Sequence, residues 1–164
     1  MNLLVNGLAA LIPMVVGAIW YNPKLVGNAW MKAAEMTEEK IKNANMAVIL
    51  IVSLVLSFLL SIQMNFLVIH QAHLDSIVMG VSGYDQEGSE VMNDLAAFKQ
   101  KYGGEFRTFK HGVFHGVLTG FLFVLPVLGI NAMFERKGFK YIAINTLYWV
   151  ITLALMGGVI CQWS

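Results

Sequence analysis

The segment Lys110–Gly120 reads KHGVFHGVLTG and opens an apolar run that reaches Met133. A polar residue followed by glycine recurs there every four residues, at His111-Gly112, His115-Gly116 and Thr119-Gly120. Residues four apart lie above one another on an α-helix. The pattern therefore predicts a helix with a ridge of three glycines beside a ridge of two imidazoles and a hydroxyl. Glycines at this spacing in a long apolar segment are typical of a membrane helix that packs closely on another helix.

The composition indicates a membrane protein. Of the 164 residues, 57% are hydrophobic and only 13% are charged, whereas soluble domains carry about 25% charged residues. We predict four membrane spans, at residues 2–21, 46–69, 111–133 and 141–163. About 20 apolar residues are enough to cross a hydrocarbon core of roughly 30 Å. The predicted fold is all-α, an antiparallel bundle of four transmembrane helices forming a single membrane domain.

The connections between the spans differ in length. Residues 24–35 alternate apolar and polar positions with helical period, which predicts an amphipathic helix lying in the membrane interface. Trp20, Tyr21 and Trp30 are the expected interface anchors. Residues 70–110 form an insert far longer than the usual connection of about 2–8 residues. We expect a helix in it from a Ser89 cap to Tyr102, in a small ordered extramembrane unit.

Basic residues predict the orientation. Seven basic residues lie in the connection 23–45 and the turn 135–140: Lys24, Lys32, Lys40, Lys42, Arg136, Lys137 and Lys140. Only four lie in or beside the insert: Lys99, Lys101, Arg107 and Lys110. Positively charged loops tend to stay in the cytoplasm. Both short connections are therefore expected inside, with the termini and the insert outside. The net charge of +1 comes without a basic stripe, which argues against a nucleic-acid partner.

Small residues predict helix packing. Ser53, Ser57 and Ser61 repeat every four residues in the second span, and we expect them to face Gly112, Gly116 and Gly120 across an antiparallel contact. The alternative is that these hydroxyls bond to carbonyls of their own helix. A second small-residue set favours a homodimer over a monomer, although docking on a larger membrane complex fits equally: Gly7, Ala10, Gly17, Ala154, Gly157 and Gly158.

All four histidines are expected at one membrane face. His70 and His73 close the second span, and His111 and His115 open the third. Together with Asp75 they are candidate ligands for Zn²⁺, and paired histidines in a helical bundle are also able to hold a haem. The commoner case is that interfacial histidines hydrogen-bond to backbone or water and bind no ligand, and we favour that interpretation from the sequence.

Several motifs carry a family resemblance. They are Gly17–Gly27 (GAIWYNPKLVG), Ala29–Lys32 (AWMK), Lys110–Gly116 (KHGVFHG), Leu125-Pro126, Phe134-Glu135 and Gly157-Gly158. Together they resemble domain of unknown function family 1761 (DUF1761) over most of the chain. The resemblance implies a small four-span bacterial membrane protein, and it implies no activity. We expect the protein in the inner, cytoplasmic membrane.

The sequence favours a binding or accessory membrane protein that acts through helix packing and a small polar or apolar ligand site. One alternative is a metal-dependent membrane enzyme that uses the four histidines. Another is a small-molecule transporter, although the spans carry no charged residue at mid-membrane depth. Neither a glycine-rich phosphate loop nor a Gly-x-Ser-x-Gly nucleophile elbow is present.

Overall fold

The computed structural model describes residues 1–164, apart from the side chain of Glu38. Within that description all regular secondary structure is helical, and no strand is present. The α-helices are Leu3–Ala9, Ile12–Trp20, Gly27–Ala34, Glu38–Lys42, Met46–Val68, Leu74–Val78, Glu90–Tyr102, Phe109–Thr119, Leu125–Phe134 and Phe139–Trp163. A 3₁₀ turn occupies His70–His73, and a π-helical segment occupies Gly120–Val124.

Four helical stretches are long and apolar enough to cross a membrane, as predicted. They are the first span Leu3–Trp20, the second span Met46–Val68, the third span Phe109–Phe134 and the fourth span Phe139–Trp163. The first span breaks between Ala9 and Ile12, just before Pro13, which takes a first-turn position of its second half. Proline fits there because the first-turn amides of a helix have no intrahelical acceptor.

The fourth span is the central helix. It contacts the other three spans, and most of it is buried, whereas the second and third spans are largely exposed. The core residues Met64, Leu153, Met156 and Ile160 are all at most 1% exposed. Apolar side chains cover the outer faces of the second and third spans. A lipid-facing surface has that character, because the bilayer core offers no hydrogen-bond partners.

The third span changes its winding at Pro126. The amide of Leu125 bonds to the carbonyl of Gly120, five residues back, and closes the π-helical segment. Proline has no amide hydrogen, and its ring collides with the carbonyl four residues earlier. One wider turn relieves that collision, and the helix then continues to Phe134. The third span therefore accommodates Pro126 through a π-bulge.

Contacts between distant segments show which of them share a face. Lys137 Nζ lies 2.9 Å from a carboxylate oxygen of Glu35, which joins the two short connections on one face. This hydrogen bond lowers the pKa of the Glu35 carboxyl. The contact therefore stabilises the fold above the ordinary pKa of 4.5 and is lost as the pH falls through the lowered value. On the opposite face, Arg107 of the insert donates to the carbonyls of Cys161 and Ser164.

The insert contains the expected helix. It spans Glu90–Tyr102, and the hydroxyl of Ser89 accepts a hydrogen bond from the amide of Met92. An ion pair between Lys99 and Asp75, 2.7 Å long, ties this helix to the segment that leaves the second span. The ends of the second and third spans are therefore held together by structure outside the membrane-spanning helices.

Candidate metal centre

Three of the four histidines come together at the face that carries the insert. A ring nitrogen of each of His70, His111 and His115 lies within 4.8 Å of the others. The Nε2 atoms of His70 and His111 are 2.9 Å apart. Such a hydrogen bond requires one ring nitrogen to be protonated and the other to be free. The three ring centroids are 4.5–5.0 Å apart.

Local backbone structure brings these rings together. Thr108 caps the third span, with its Oγ1 accepting a hydrogen bond from the amide of His111. His115 follows one turn later, so both imidazoles project from one side of the helix. The second span ends at Val68, and the 3₁₀ turn that follows places His70 against this pair. The centre is therefore built from two helix ends.

Two aromatic rings border the cluster, and sequence reasoning missed both. The ring of Phe106 lies 5.1 Å from His111 and 6.3 Å from His70, and that of Phe114 lies 5.5 Å from His115. Phe106 has a φ of 60°, in the left-handed region that a bulky residue rarely adopts. Its position depends on how the insert folds back. The sequence around residue 106 contains no signal for that conformation.

His73 and Asp75 are not part of the cluster. Nε2 of His73 donates to the carbonyl of Phe66 at 2.7 Å and so satisfies a carbonyl at the end of the second span. The carboxylate of Asp75 accepts hydrogen bonds from Lys99 instead. The structure therefore brings together three of the candidate ligands, His70, His111 and His115, and leaves His73 and Asp75 outside the cluster. The Nε2 atoms of His70 and His111, 2.9 Å apart, leave no space for a porphyrin between them, so these two histidines do not fit as the pair of axial ligands of a haem.

The glycine ridge packs on the fourth span rather than on the serines. A Cβ atom at Gly112 would meet the carbonyl of Gly157, and one at Gly116 would lie 2.6 Å from the Cα of Ala154. A Cβ at Gly120 would lie 2.6 Å from a methyl group of Val150. The predicted contact of these glycines with the serines of the second span is therefore wrong, because the glycines pack on the fourth span instead. The glycines allow the backbone of the third span to contact that of the fourth. This contact determines the positions of His111 and His115, which lie on the same helix.

The serines occupy a different environment. Ser57 and Ser61 are buried and Ser53 is half-buried. The hydroxyl of Ser61 donates to the carbonyl of Phe58 in its own helix at 2.7 Å. Ser61 therefore follows the alternative interpretation, in which a membrane serine satisfies a local carbonyl.

The expected interface anchors are bonded to the fourth span. The indole of Trp20 donates to the carbonyl of Ile144, and both the Tyr21 hydroxyl and the Trp30 indole donate to the side-chain carbonyl of Asn145. These bonds hold the helix Gly27–Ala34 against the bundle, on the face opposite the histidines.

Comparison with known proteins gives a family. No curated protein and no solved structure matches this chain. A model of the family described as "Protein of unknown function (DUF1761)" matches residues 5–161, nearly the whole chain. The matched region contains the aromatic anchors, the glycine ridge and all three clustered histidines. The chain therefore belongs to the DUF1761 family, whose function is unknown.

Proposed function

We propose that this protein is a multi-pass membrane protein that binds a divalent metal ion of the zinc class through His70, His111 and His115. The observation that carries the proposal is the convergence of three ring nitrogens within 4.8 Å. Zinc–nitrogen bonds of about 2.0–2.1 Å in a tetrahedral site place the ligand nitrogens roughly 3.3 Å apart. The ring nitrogens of the cluster are between 2.9 Å and 4.8 Å apart, a range that includes this value. Small rotations of the rings are therefore enough to bind the ion.

Hydrogen bonding alone is a weaker explanation of the cluster. One hydrogen bond accounts for His70 and His111. The ring of His115 has no hydrogen-bond partner in the described part of the chain, although the residue is half-buried. Coordination of a shared metal ion would satisfy all three rings at once.

Three protein ligands leave one position of a tetrahedral ion open. An open position lets the bound ion take a further ligand, which agrees with a binding or accessory role. The same arrangement of three protein ligands and one open position is typical of catalytic zinc. That observation makes a metal-dependent membrane enzyme the second candidate. We further propose that the protein lies in the inner membrane of a bacterium with the metal site outside. The family resemblance supports the first part and the distribution of basic residues supports the second.

Elemental analysis of the purified protein tests the metal site. After equilibration with zinc and removal of excess ion, we expect about one zinc per chain. The double variant His111→Ala/His115→Ala should lose it. His73→Ala is the matched control and should retain zinc, because that side chain bonds to Phe66 instead. Absence of stoichiometric zinc in the parent protein, or zinc retained by the double variant, would contradict the proposal.

A further inference from the structure

An apolar groove lies between the second, third and fourth spans, and its volume is about 510 Å³. Its lining includes Leu60, Leu67, Leu118, Leu122, Phe123 and Trp149. Leu122 and Phe123 belong to the π-helical segment Gly120–Val124 and are mostly exposed. The wider turn therefore shapes one wall of the groove, as π-bulges frequently do at functional sites. The groove is open on the side that faces lipid in a membrane.

The groove begins beside the three histidines. Leu67 precedes His70 by three residues, at the end of the second span. On the third span, Thr119 lines the groove one helical turn beyond His115, and its hydroxyl donates to the His115 carbonyl at 2.8 Å. One turn rises about 5.4 Å. The histidine cluster and the groove therefore lie about one helical turn apart along the third span, close enough for one ligand to reach both.

Charge determines what the metal would accept. Three neutral imidazoles leave Zn²⁺ with its full double positive charge, and none of the described carboxylates belongs to the cluster. The nearby Asp75 is paired with Lys99. An anionic oxygen ligand in the open position would reduce that charge. The groove by itself gives little preference for one apolar ligand over the surrounding lipid, since lipid tails are as apolar as its walls. Selection must therefore come from the polar end of the ligand.

We propose that the centre and the groove together bind a single-chain carboxylate amphiphile, of the fatty-acid class. Its carboxylate would coordinate the metal held by His70, His111 and His115, and its chain would lie along Leu67, Leu118 and Trp149. The groove is one cavity of about 510 Å³, which favours one chain over two. This inference rests on the proposed metal site and adds the class of ligand that the site takes.

Quenching of Trp149 fluorescence tests the inference, because its ring lies in the groove. The probe is a fatty acid brominated on its chain, added to detergent-solubilised protein with and without zinc. We expect saturable quenching that tightens at least tenfold with zinc and that an unbrominated fatty acid reverses. The quenching should disappear in Trp149→Phe. The methyl ester of the same acid should bind no better with zinc than without, because it lacks the anionic oxygen.

Substitutions separate the two proposals. His111→Ala/His115→Ala should abolish the effect of zinc on quenching, and Leu67→Phe should weaken probe binding while zinc binding persists. Leu59→Phe is the matched control, since Leu59 lies on the same helix outside the groove. Zinc bound without any zinc-dependent quenching would overturn this inference and leave the metal site standing. Equal binding of the ester, or tighter binding of a single-chain phosphate amphiphile, would also overturn it. Failure to bind zinc would overturn both proposals.

Discussion

Two buried asparagines join the first and second spans. Asn65 donates its side-chain amide to the side-chain oxygen of Asn6 at 2.7 Å, and both residues are at most 3% exposed. The oxygen of Asn65 accepts a further bond from the hydroxyl of Ser164. Hydrogen bonds between membrane helices contribute on average only about 0.6 kcal/mol. Their greater effect is on register, because a shifted helix would leave the side-chain oxygen of Asn6 without its donor in an apolar interior.

Single residues also show why the candidate metal ligands were predictable only in part. His111 and His115 are fixed by helical spacing, which is readable from sequence. The choice between His70 and His73 depends on a 3₁₀ turn after Val68, a change of winding that the composition of the segment does not reveal. Asp75 was a plausible ligand by position, and Lys99, 24 residues later, pairs with it instead. Pairings over such separations depend on the folded insert.

At the scale of helices, the contact of the third span with the fourth gives a sharp prediction for Gly116→Leu. A Cβ there would lie 2.6 Å from the backbone of Ala154, which has no flexible end to move aside. We expect the spans to separate and the free energy of unfolding to fall by about 3 kcal/mol, the upper end for overpacking. Thermal unfolding in detergent measures the loss.

Gly129→Leu in the same span is the control. The nearest atom to a Cβ at Gly129 is a methyl group of Ile142 at 4.0 Å, which is ordinary contact. This variant should unfold close to the parent temperature. Equal thermal stability of the two leucine variants would mean that the close approach at Gly116 does not hold the helices together.

Helix existence was predictable from the sequence, and helix partners were not. Span length, hydropathy and the Ser89 cap are local properties, so the four spans and the helix Glu90–Tyr102 followed from them. A four-residue repeat of glycine says which face of a helix is flat, and it says nothing about which helix covers that face. Gly157 of the fourth span completes the contact, because a Cβ atom at that position would lie 2.5 Å from the carbonyl oxygen of Gly112.

At the scale of the whole molecule, two sets of segments lie on opposite faces. Glu35 meets Lys137 on one face, and Arg107 meets Ser164 on the other. The excess of basic residues in the first set predicts that it faces the cytoplasm. A cysteine replacing the exposed Ser82 should react with a membrane-impermeant thiol reagent added to intact cells, and one replacing Gly138 should not.

The parent protein serves as the control for labelling, since Cys161 is fully buried and should stay unlabelled. Both engineered cysteines should react once the cells are opened. Labelling of Gly138→Cys but not Ser82→Cys in intact cells would reverse the orientation and place the histidine cluster inside.

The homodimer is a proposal, and the packing within one chain limits which surfaces are free to form its interface. Most of the small residues that favoured it are used within the chain: Gly157 meets Gly112, Gly158 meets Phe109, Gly17 faces Tyr148, and Ala10 and Ala154 are buried. Gly7 is different, since no atom lies within 4 Å of its Cβ position, and the neighbouring Leu4 and Leu8 are exposed. We therefore propose that two copies meet along the first span at Gly7.

Mass measurement of the detergent-solubilised protein over a wide range of concentration tests this interface. We expect a dimer that becomes monomeric in Gly7→Leu, because a leucine there would hold the two first spans apart. The thermal stability of the protomer should barely change, since the position is open within one chain. Gly129→Leu, on another span, should leave the dimer intact. A strictly monomeric parent protein would reject the dimer, and a dimer that survives Gly7→Leu would place the interface on another span.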